Sequence, residues 1–251
     1  MYAIIGGSGL AKLTALQNPR RQVMRTPYGE PSGALTFGEF AGAEVVFLAR
    51  HGYGHTLSPH EINYRANIWA LKDLKVEGVI AVATVGGIRA DLAPGTLVLP
   101  DQIIDYTHSR KSTFFEGSEM PVIHVDFTQP YSRALRERLI SAAAACNEKV
   151  FDGAVYACTQ GPRLETAAEI ERIAREGGDV VGMTGMPETV LAREVGLEYA
   201  SLAVVINHAA GRGDSVQAIK LEALGEVMQE AIMRAVRILS AFFGKPSGKP
   251  S

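Results

Sequence analysis

Ala3-Ile4-Ile5-Gly6-Gly7-Ser8-Gly9 reads as a short buried strand that runs straight into a glycine-rich turn carrying a hydroxyl. Four later stretches repeat the pattern. Val45-Val46-Phe47-Leu48-Ala49 passes into Arg50-His51-Gly52, and Val79-Ile80-Ala81-Val82-Ala83-Thr84 passes into Gly86-Gly87. Val180-Val181-Gly182-Met183 passes into Thr184, and Leu202-Ala203-Val204-Val205-Ile206 into Asn207-His208. Runs this short, apolar on both faces and rich in β-branched residues, are what a central sheet covered by helices requires.

Helical signals alternate with these runs. Ser58-Pro59-His60-Glu61 has the form of a capping box with proline at the first helical position, which predicts a helix from about Pro59 to Leu74. Thr166-Ala167-Ala168-Glu169 predicts a second helix that stops at Gly177-Gly178. Pro187 to Val195 predicts a short helix ended by Gly196. From about Lys220 to Phe243, Leu221, Leu224, Val227, Met228, Ile232, Val236 and Leu239 fall at helical spacing and predict a long amphipathic helix. No linker or change of composition divides the chain, so residues 1–243 read as one α/β domain. The tandem Gly244-Lys245-Pro246-Ser247 and Gly248-Lys249-Pro250-Ser251 reads as a disordered, dispensable tail over 244–251.

Composition narrows the function classes. The 251 residues are 47% hydrophobic and 21% charged, enough for a sizeable core and too apolar for a disordered or fibrous chain. The formal net charge of −2 lacks the basic excess of a dedicated nucleic-acid binder, yet leaves room for a small anion bound locally. Cys146 and Cys158 are too few and too isolated for a disulfide framework or a zinc site, and read as small apolar core residues. The start Met1-Tyr2-Ala3 lacks the basic segment and long apolar run of a secretory signal, and no run of apolar residues is long enough to span a bilayer. The expectation is a cytoplasmic protein without nucleic-acid, membrane or metal partners.

Polar residues gather where the proposed strands end, and open α/β sheets place their ligands there. Ser8, Arg50, His51, Thr84 and Thr184 each follow a different apolar run. Hydroxyls, glycine-exposed backbone N–H groups, one guanidinium and one imidazole together suit phosphate or a similar oxyanion. Singly, each signal has an ordinary alternative. Gly6-Gly7-Ser8-Gly9 is neither a dinucleotide fingerprint nor a Walker loop, and Arg50-His51 equally fits an ion-pair partner beside a capping histidine.

Further motifs carry a family resemblance. Ile4-Ile5-Gly6-Gly7-Ser8-Gly9-Leu10, Ala49-Arg50-His51-Gly52, Asn63 to Leu71, Gly161-Pro162-Arg163, Met183-Thr184 and Pro187-Glu188 resemble the purine nucleoside phosphorylase and methylthioadenosine phosphorylase family. The likeness runs from about residue 2 to residue 243. It implies a distorted, mixed central sheet flanked by helices, a homo-oligomer (a trimer, with a hexamer left open), and reversible phosphorolysis. Inorganic phosphate is then a co-substrate and no metal or organic cofactor is used. Carried over residue by residue, Ser8, Arg50, His51 and Thr184 fall on the phosphate contacts, and Ala83-Thr84-Val85-Gly86 on the segment that serves phosphate and ribose. Ala83 departs from the usual threonine, with Thr84 next to it. Met183 falls on the methionine that packs against ribose.

The base is read from two places. Methylthioadenosine phosphorylases carry Asp-x-Asp where this chain has Asn207-His208-Ala209. An asparagine amide both donates and accepts and so serves N7 and O6 of a 6-oxopurine, whereas Ala209 accepts nothing from a 6-amino group. After Leu164 comes Glu165, as in the 6-oxopurine enzymes. An acceptor-only carboxylate suits the N1–H of hypoxanthine and mismatches the N1 lone pair of adenine. Glu165 has a plainer alternative, support of the helix start that follows it.

The 5′ pocket is read from Leu221 and Leu224, apolar where ordinary nucleoside phosphorylases carry a histidine, and from Val122-Ile123-His124-Val125. The latter resembles a loop that reaches a neighbouring subunit's site, which makes His124 a residue lent by the partner. Together these readings point to 5′-methylthioinosine, split by phosphate into hypoxanthine and 5-methylthioribose 1-phosphate. Three alternatives stand beside it: an inosine/guanosine phosphorylase, a methylthioadenosine phosphorylase, and a nucleoside-binding module without turnover.

Overall fold

A computed structural model describes residues 1–10, 12–118, 121–219 and 224–244, with the side chain of Leu224 outside that description. The expected terminal tail beyond Gly244, and Leu221, lie outside the described residues.

The opening run forms β1 (Tyr2–Gly6). It pairs in parallel with β4 (Ala43–Ala49) on one side and β5 (Gly78–Gly87) on the other. Side chains alternate across a strand, so one run faces two cores. Ile4 packs with Phe47, Leu139 and Ile238, whereas Ala3 and Ile5 pack with Leu48, Ile68 and Leu191. The first core lies under α2 (Arg133–Ala145) and α5 (Leu224–Phe243), and the second under α1 (Tyr64–Asp73) and α4 (Glu188–Glu194). Apolar residues on both faces thus mark a sheet between two helical layers, as the sequence implies.

β5 is the strand on which the sheet forks. One edge pairs in parallel along its whole length with β11 (Glu198–His208). The other edge is shared: β1 covers Val79 to Val82, and β10 (Val180–Gly182) pairs antiparallel with Gly86 and Gly87. Ala83, Thr84 and Val85 lie between the two partners, and the C-terminal ends of β1 and β10 approach that gap from opposite directions. Beyond the fork, β10 continues through β9 (Val155–Cys158) to β7 (Gln102–Asp105), while β11 turns the sheet toward β6 (Leu97–Leu99) and β8 (Val150–Asp152). The far edge is built by β2 (Gln17–Gln22) and β3 (Leu35–Phe40), β2 antiparallel to β3 and β3 antiparallel to β4. The sheet is mixed and distorted, as the family resemblance implied.

Two local expectations need correction. Thr84 does not follow a strand but lies inside β5, which runs on through Gly86 and Gly87. These glycines permit close approach instead of ending the strand: a Cβ on Gly87 would sit 2.1 Å from the Leu92 carbonyl oxygen, and one on Gly86 3.2 Å from Val181. The helix expected from Pro59 starts instead at Tyr64, capped by the Asn63 side chain, which accepts from Ala66 N–H at 3.0 Å. Ser58–Glu61 does form the reciprocal contact of a capping box, Ser58 N–H to the Glu61 carboxylate, but only as one isolated turn. Tyr64 O–H donates to the Pro59 carbonyl and bends that turn back across the start of α1. The Thr166–Glu169 box is present as read and opens α3 (Ala167–Arg175), which stops before Gly177.

Candidate active site

The fork in the sheet is also the floor of a cleft of about 370 Å³. Gly7 and Ser8 enter it from the end of β1, Met183 and Thr184 from the end of β10, and Ala83 to Gly86 line it from the gap between them. Arg50 and His51 arrive from the end of β4, and Asn207 and Ala209 from β11 and the residue just beyond it. Leu164 and Glu165, from the loop before α3, complete the far wall. Residues more than 150 positions apart in sequence therefore meet on one surface.

Arg50 is a buried cation held by three hydrogen bonds. Its Nε and Nη2 donate to the two carboxylate oxygens of Glu188 at 2.7 and 2.8 Å, and Nη1 donates to the Val82 carbonyl at 3.0 Å. Both side chains are buried, Arg50 at 1% exposure and Glu188 at 0%. Tyr199 O–H donates to Glu188 Oε1 at 2.7 Å, closing the far side of the pair. Burial opposes the guanidinium charge, but the Glu188 carboxylate more than offsets it and holds Arg50 firmly protonated. Five guanidinium N–H bonds less three leaves two, on Nη1 and Nη2, for a ligand in the cleft. Gly7 makes this placement possible, because a Cβ there would lie 2.7 Å from Arg50 Nη1.

His51 has a fixed tautomer. Its Nδ1 lies 2.8 Å from the Leu57 carbonyl oxygen, which only accepts, so Nδ1 carries the proton and the neutral ring keeps its lone pair on Nε2. Burial pushes the imidazole down to about 4, with Arg50 and the neighbouring His55 ring acting in the same direction. The His55 ring packs 4.4 Å from that of His51. Among the described residues the hydroxyls of Ser8 and Thr84 make no hydrogen bond, so they are free to serve a ligand, whereas Thr184 meets the Tyr156 hydroxyl through both its backbone N–H and its side chain.

The opposite end of the cleft carries a different donor set. Glu165 Oε1 accepts from Thr159 Oγ1 at 2.5 Å. The start of α3 is capped by Thr166 and Glu169, and the Glu165 carboxylate is bonded to Thr159 instead of to the helix backbone. Asn207 Nδ2 donates to the His208 carbonyl at 2.7 Å, which orients the amide and leaves Oδ1 as an open acceptor. Ala209 is buried beside them and offers only a methyl group. One end of the cleft thus suits an oxyanion, and the other a flat ring with polar edges.

Apolar residues between the two ends went unassigned in the sequence: Ile206, bulged out of register in β11, and Ile219 both line the cleft, as do Leu57 and Pro59 of the misread turn. Leu224 stands at the first position of α5, and its side chain is not described. His124 is exposed, in an irregular segment with Val122 and Ile123, and does not line its own chain's cleft. Glu188 was visible as part of a motif, but its partnership with Arg50, 138 residues away, was not.

Comparison with known proteins places this architecture. The family model described as the phosphorylase superfamily matches residues 1–244. The chain belongs to that superfamily. It is 52% identical over 243 residues to a probable S-methyl-5′-thioinosine phosphorylase of Pseudomonas syringae, covering 96% of this chain and 99% of the relative. A 6-oxopurine nucleoside phosphorylase of Pyrococcus furiosus is 47% identical over 244 residues, covering 95% and 90% of the two chains. The solved methylthioadenosine phosphorylase of Schistosoma mansoni in complex with adenine superimposes with a TM-score of 0.91 at 31% identity, over 96% of this chain and 90% of that one. In this phosphorylase the cleft lies at the fork of the sheet, and the resemblance read from the motifs holds over the whole domain.

Proposed function

We propose that this phosphorylase cleaves S-methyl-5′-thioinosine with inorganic phosphate, releasing hypoxanthine and 5-methylthioribose 1-phosphate. One observation carries the choice of base. Glu165, an acceptor held by Thr159, matches the N1–H of a 6-oxopurine and mismatches the N1 lone pair of adenine; Asn207 beside it keeps a second Nδ2 hydrogen to donate to O6 or N7, and the Ala209 methyl accepts nothing from a 6-amino group. The relatives at 52% and 47% identity are a probable S-methyl-5′-thioinosine phosphorylase and a 6-oxopurine nucleoside phosphorylase by name, which supports the same choice. For the 5′ group, Ile206 and Ile219 give an apolar wall that leaves a hydroxyl without a partner and accommodates a methylthio group. Leu221 and the Leu224 side chain, read from the sequence as part of the 5′ pocket, lie outside the described residues.

Chemistry then follows from placement. Phosphate, held by Ser8, Thr84, Thr184 and the two free N–H bonds of Arg50, with His51 Nε2 accepting from its P–OH, sits beneath C1′ of a ribose packed on Met183 and Ala83 to Gly86. The glycosidic bond lengthens toward an oxocarbenium-like state that the phosphate charge stabilises. Asn207 supports the departing purine and Glu165 accepts its N1–H. No side chain attacks; the rate comes from positioning and electrostatics, without metal or organic cofactor. We assign the active unit to a cytoplasmic homotrimer in which exposed Val122, Ile123 and His124 reach the neighbouring cleft.

A side-by-side assay tests the reading. Purified protein with phosphate should turn over methylthioinosine much faster than methylthioadenosine or inosine. A rate with methylthioadenosine equal to or above that with methylthioinosine refutes the base assignment. Faster cleavage of inosine refutes the 5′ assignment and moves the protein to the general 6-oxopurine enzymes. Light scattering that finds a monomer at assay concentration refutes the shared site.

A further inference from the structure

Arg110 follows β7 in a segment that contributes nothing to the cleft lining, yet its half-buried guanidinium is the most heavily bonded cation among the described residues. Nε donates to Gln160 Oε1 at 3.1 Å, and Nη2 to the Gln160 and Thr159 carbonyls at 2.7 and 3.4 Å. Nη1 donates to the Met186 and Met183 carbonyls at 2.6 and 2.9 Å and lies 3.3 Å from Tyr64 Oη. Every one of these acceptors is uncharged, and among the described residues no carboxylate pairs with Arg110. A cation satisfied only by backbone and neutral side chains gains little as an ion pair. What it does is tie segments together.

The segments it ties are three walls of the cleft. Thr159, gripped through its carbonyl, grips Glu165 through its hydroxyl. Met183, gripped through its carbonyl, lines the cleft and precedes Thr184. Tyr64 passes the connection on to Pro59 by donating to its carbonyl at 2.9 Å. By contrast Ser8 follows β1, Arg50 follows β4 and Thr84 lies in β5, none of which Arg110 touches.

We infer that Arg110 is a positioning residue that sets the base-binding wall, through Thr159 and Glu165, in register with the ribose wall at Met183. Of the phosphate contacts only Thr184 stands on a segment that Arg110 grips, and Ser8, Arg50, His51 and Thr84 are held elsewhere, so its effect falls mainly on the nucleoside. Lysine cannot replace it, because three donors on one nitrogen do not span the two carbonyl groups of each wall. The inference rests on the proposed purine nucleoside activity.

The test compares Arg110→Lys, Arg110→Ala and wild type, with kcat and KM measured separately for phosphate and for the nucleoside that wild type cleaves best. Misplacement by about 1 Å costs on the order of 100-fold in rate. Turnover is expected to fall at least 10-fold in Arg110→Lys and more in Arg110→Ala, with the phosphate KM within about threefold of wild type. Ethylguanidinium is expected to restore part of the turnover of Arg110→Ala. Combined with Glu165→Gln, the loss should be well short of the product of the single losses, because both act through one carboxylate. Should Arg110→Ala fail to fold, Arg110→Lys carries the test alone. An Arg110→Lys variant with the wild-type thermal midpoint and turnover within threefold overturns the inference, as do losses that multiply in the double variant. A wild type that cleaves no purine nucleoside instead overturns the proposed function, and this inference with it.

Discussion

Glu188→Gln isolates the electrostatics behind the phosphate end of the cleft. The substitution keeps the shape of the side chain and removes one negative charge opposite a guanidinium that is 1% exposed. Two charge-assisted hydrogen bonds, at 2.7 and 2.8 Å, lose their ionic acceptor. The single remaining amide oxygen is also wanted by Tyr199 O–H, and the amide N–H groups face donors of Arg50. Removing one partner of a buried pair costs roughly 3–5 kcal/mol, because the other charge stays buried without compensation. For a chain of this size each kcal/mol is about 2–4 °C, so the thermal midpoint should fall by on the order of 10 °C in phosphate-free buffer. Adding phosphate sharpens the result. A bound dianion gives Arg50 a new negative partner, so the phosphate-dependent rise in midpoint should be larger for the variant than for wild type. Calorimetry at a series of phosphate concentrations reads both quantities. A phosphate-free midpoint within 2–3 °C of wild type, equivalent to about 1 kcal/mol, would refute the view that Glu188 holds Arg50 in place.

Three further outcomes follow from the same geometry. The triple variant Glu165→Ser, Asn207→Asp, Ala209→Asp should shift the methylthioadenosine-to-methylthioinosine rate ratio upward by at least tenfold, since each buried mismatch is worth about 1–3 kcal/mol; an unchanged ratio means the base site is misassigned. His51, held down to about 4, is neutral in the folded protein at pH 5–6, while in the unfolded chain its value is about 6.5. The unfolded state therefore binds the extra proton, stability falls as pH drops from about 6.5 toward 4, and urea midpoints of His51→Gln should vary less with pH over that window than those of wild type. Gly7→Ala places a methyl group 2.7 Å from Arg50 Nη1 and 2.9 Å from the Val82 carbonyl, both fixed, so the phosphate KM should rise by an order of magnitude or more while the affinity for free hypoxanthine stays near wild type.

What could be read from the chain alone divides along physical lines. The five apolar runs are legible because both faces are buried, and the Thr166–Glu169 box is legible because all its contacts lie within four residues. The turn at Ser58–Glu61 has the same local form, but the Pro59 carbonyl is bonded by Tyr64, and that tertiary contact overrides the capping signal. β2 gave no signal because its residues are exposed on both faces at the sheet edge. The Gly86-Gly87 pair looks like a strand terminator, yet marks close packing in the middle of the fork.

The site follows the same division. Residues that face a ligand could be found one by one, because a ligand's chemistry restricts residue type at each position. Residues that aim them could not. Glu188 serves Arg50 across 138 positions, and Arg110 reaches Glu165 only at one remove, bonding the Thr159 carbonyl while the Thr159 hydroxyl holds the carboxylate. The fork explains why such supports are needed. Two strands ending head-on over Ala83 to Val85 give up the sheet hydrogen bonds that would otherwise fix those ends, and buried side-chain networks take their place. Arg50 Nη1 bonded to the Val82 carbonyl of β5, where its pairing with β1 stops, and Arg110 bonded to the Met183 carbonyl, just past β10, are two instances, one on each side of the gap. A cleft opened by interrupting a sheet is held open by the cations that replace the missing ladder.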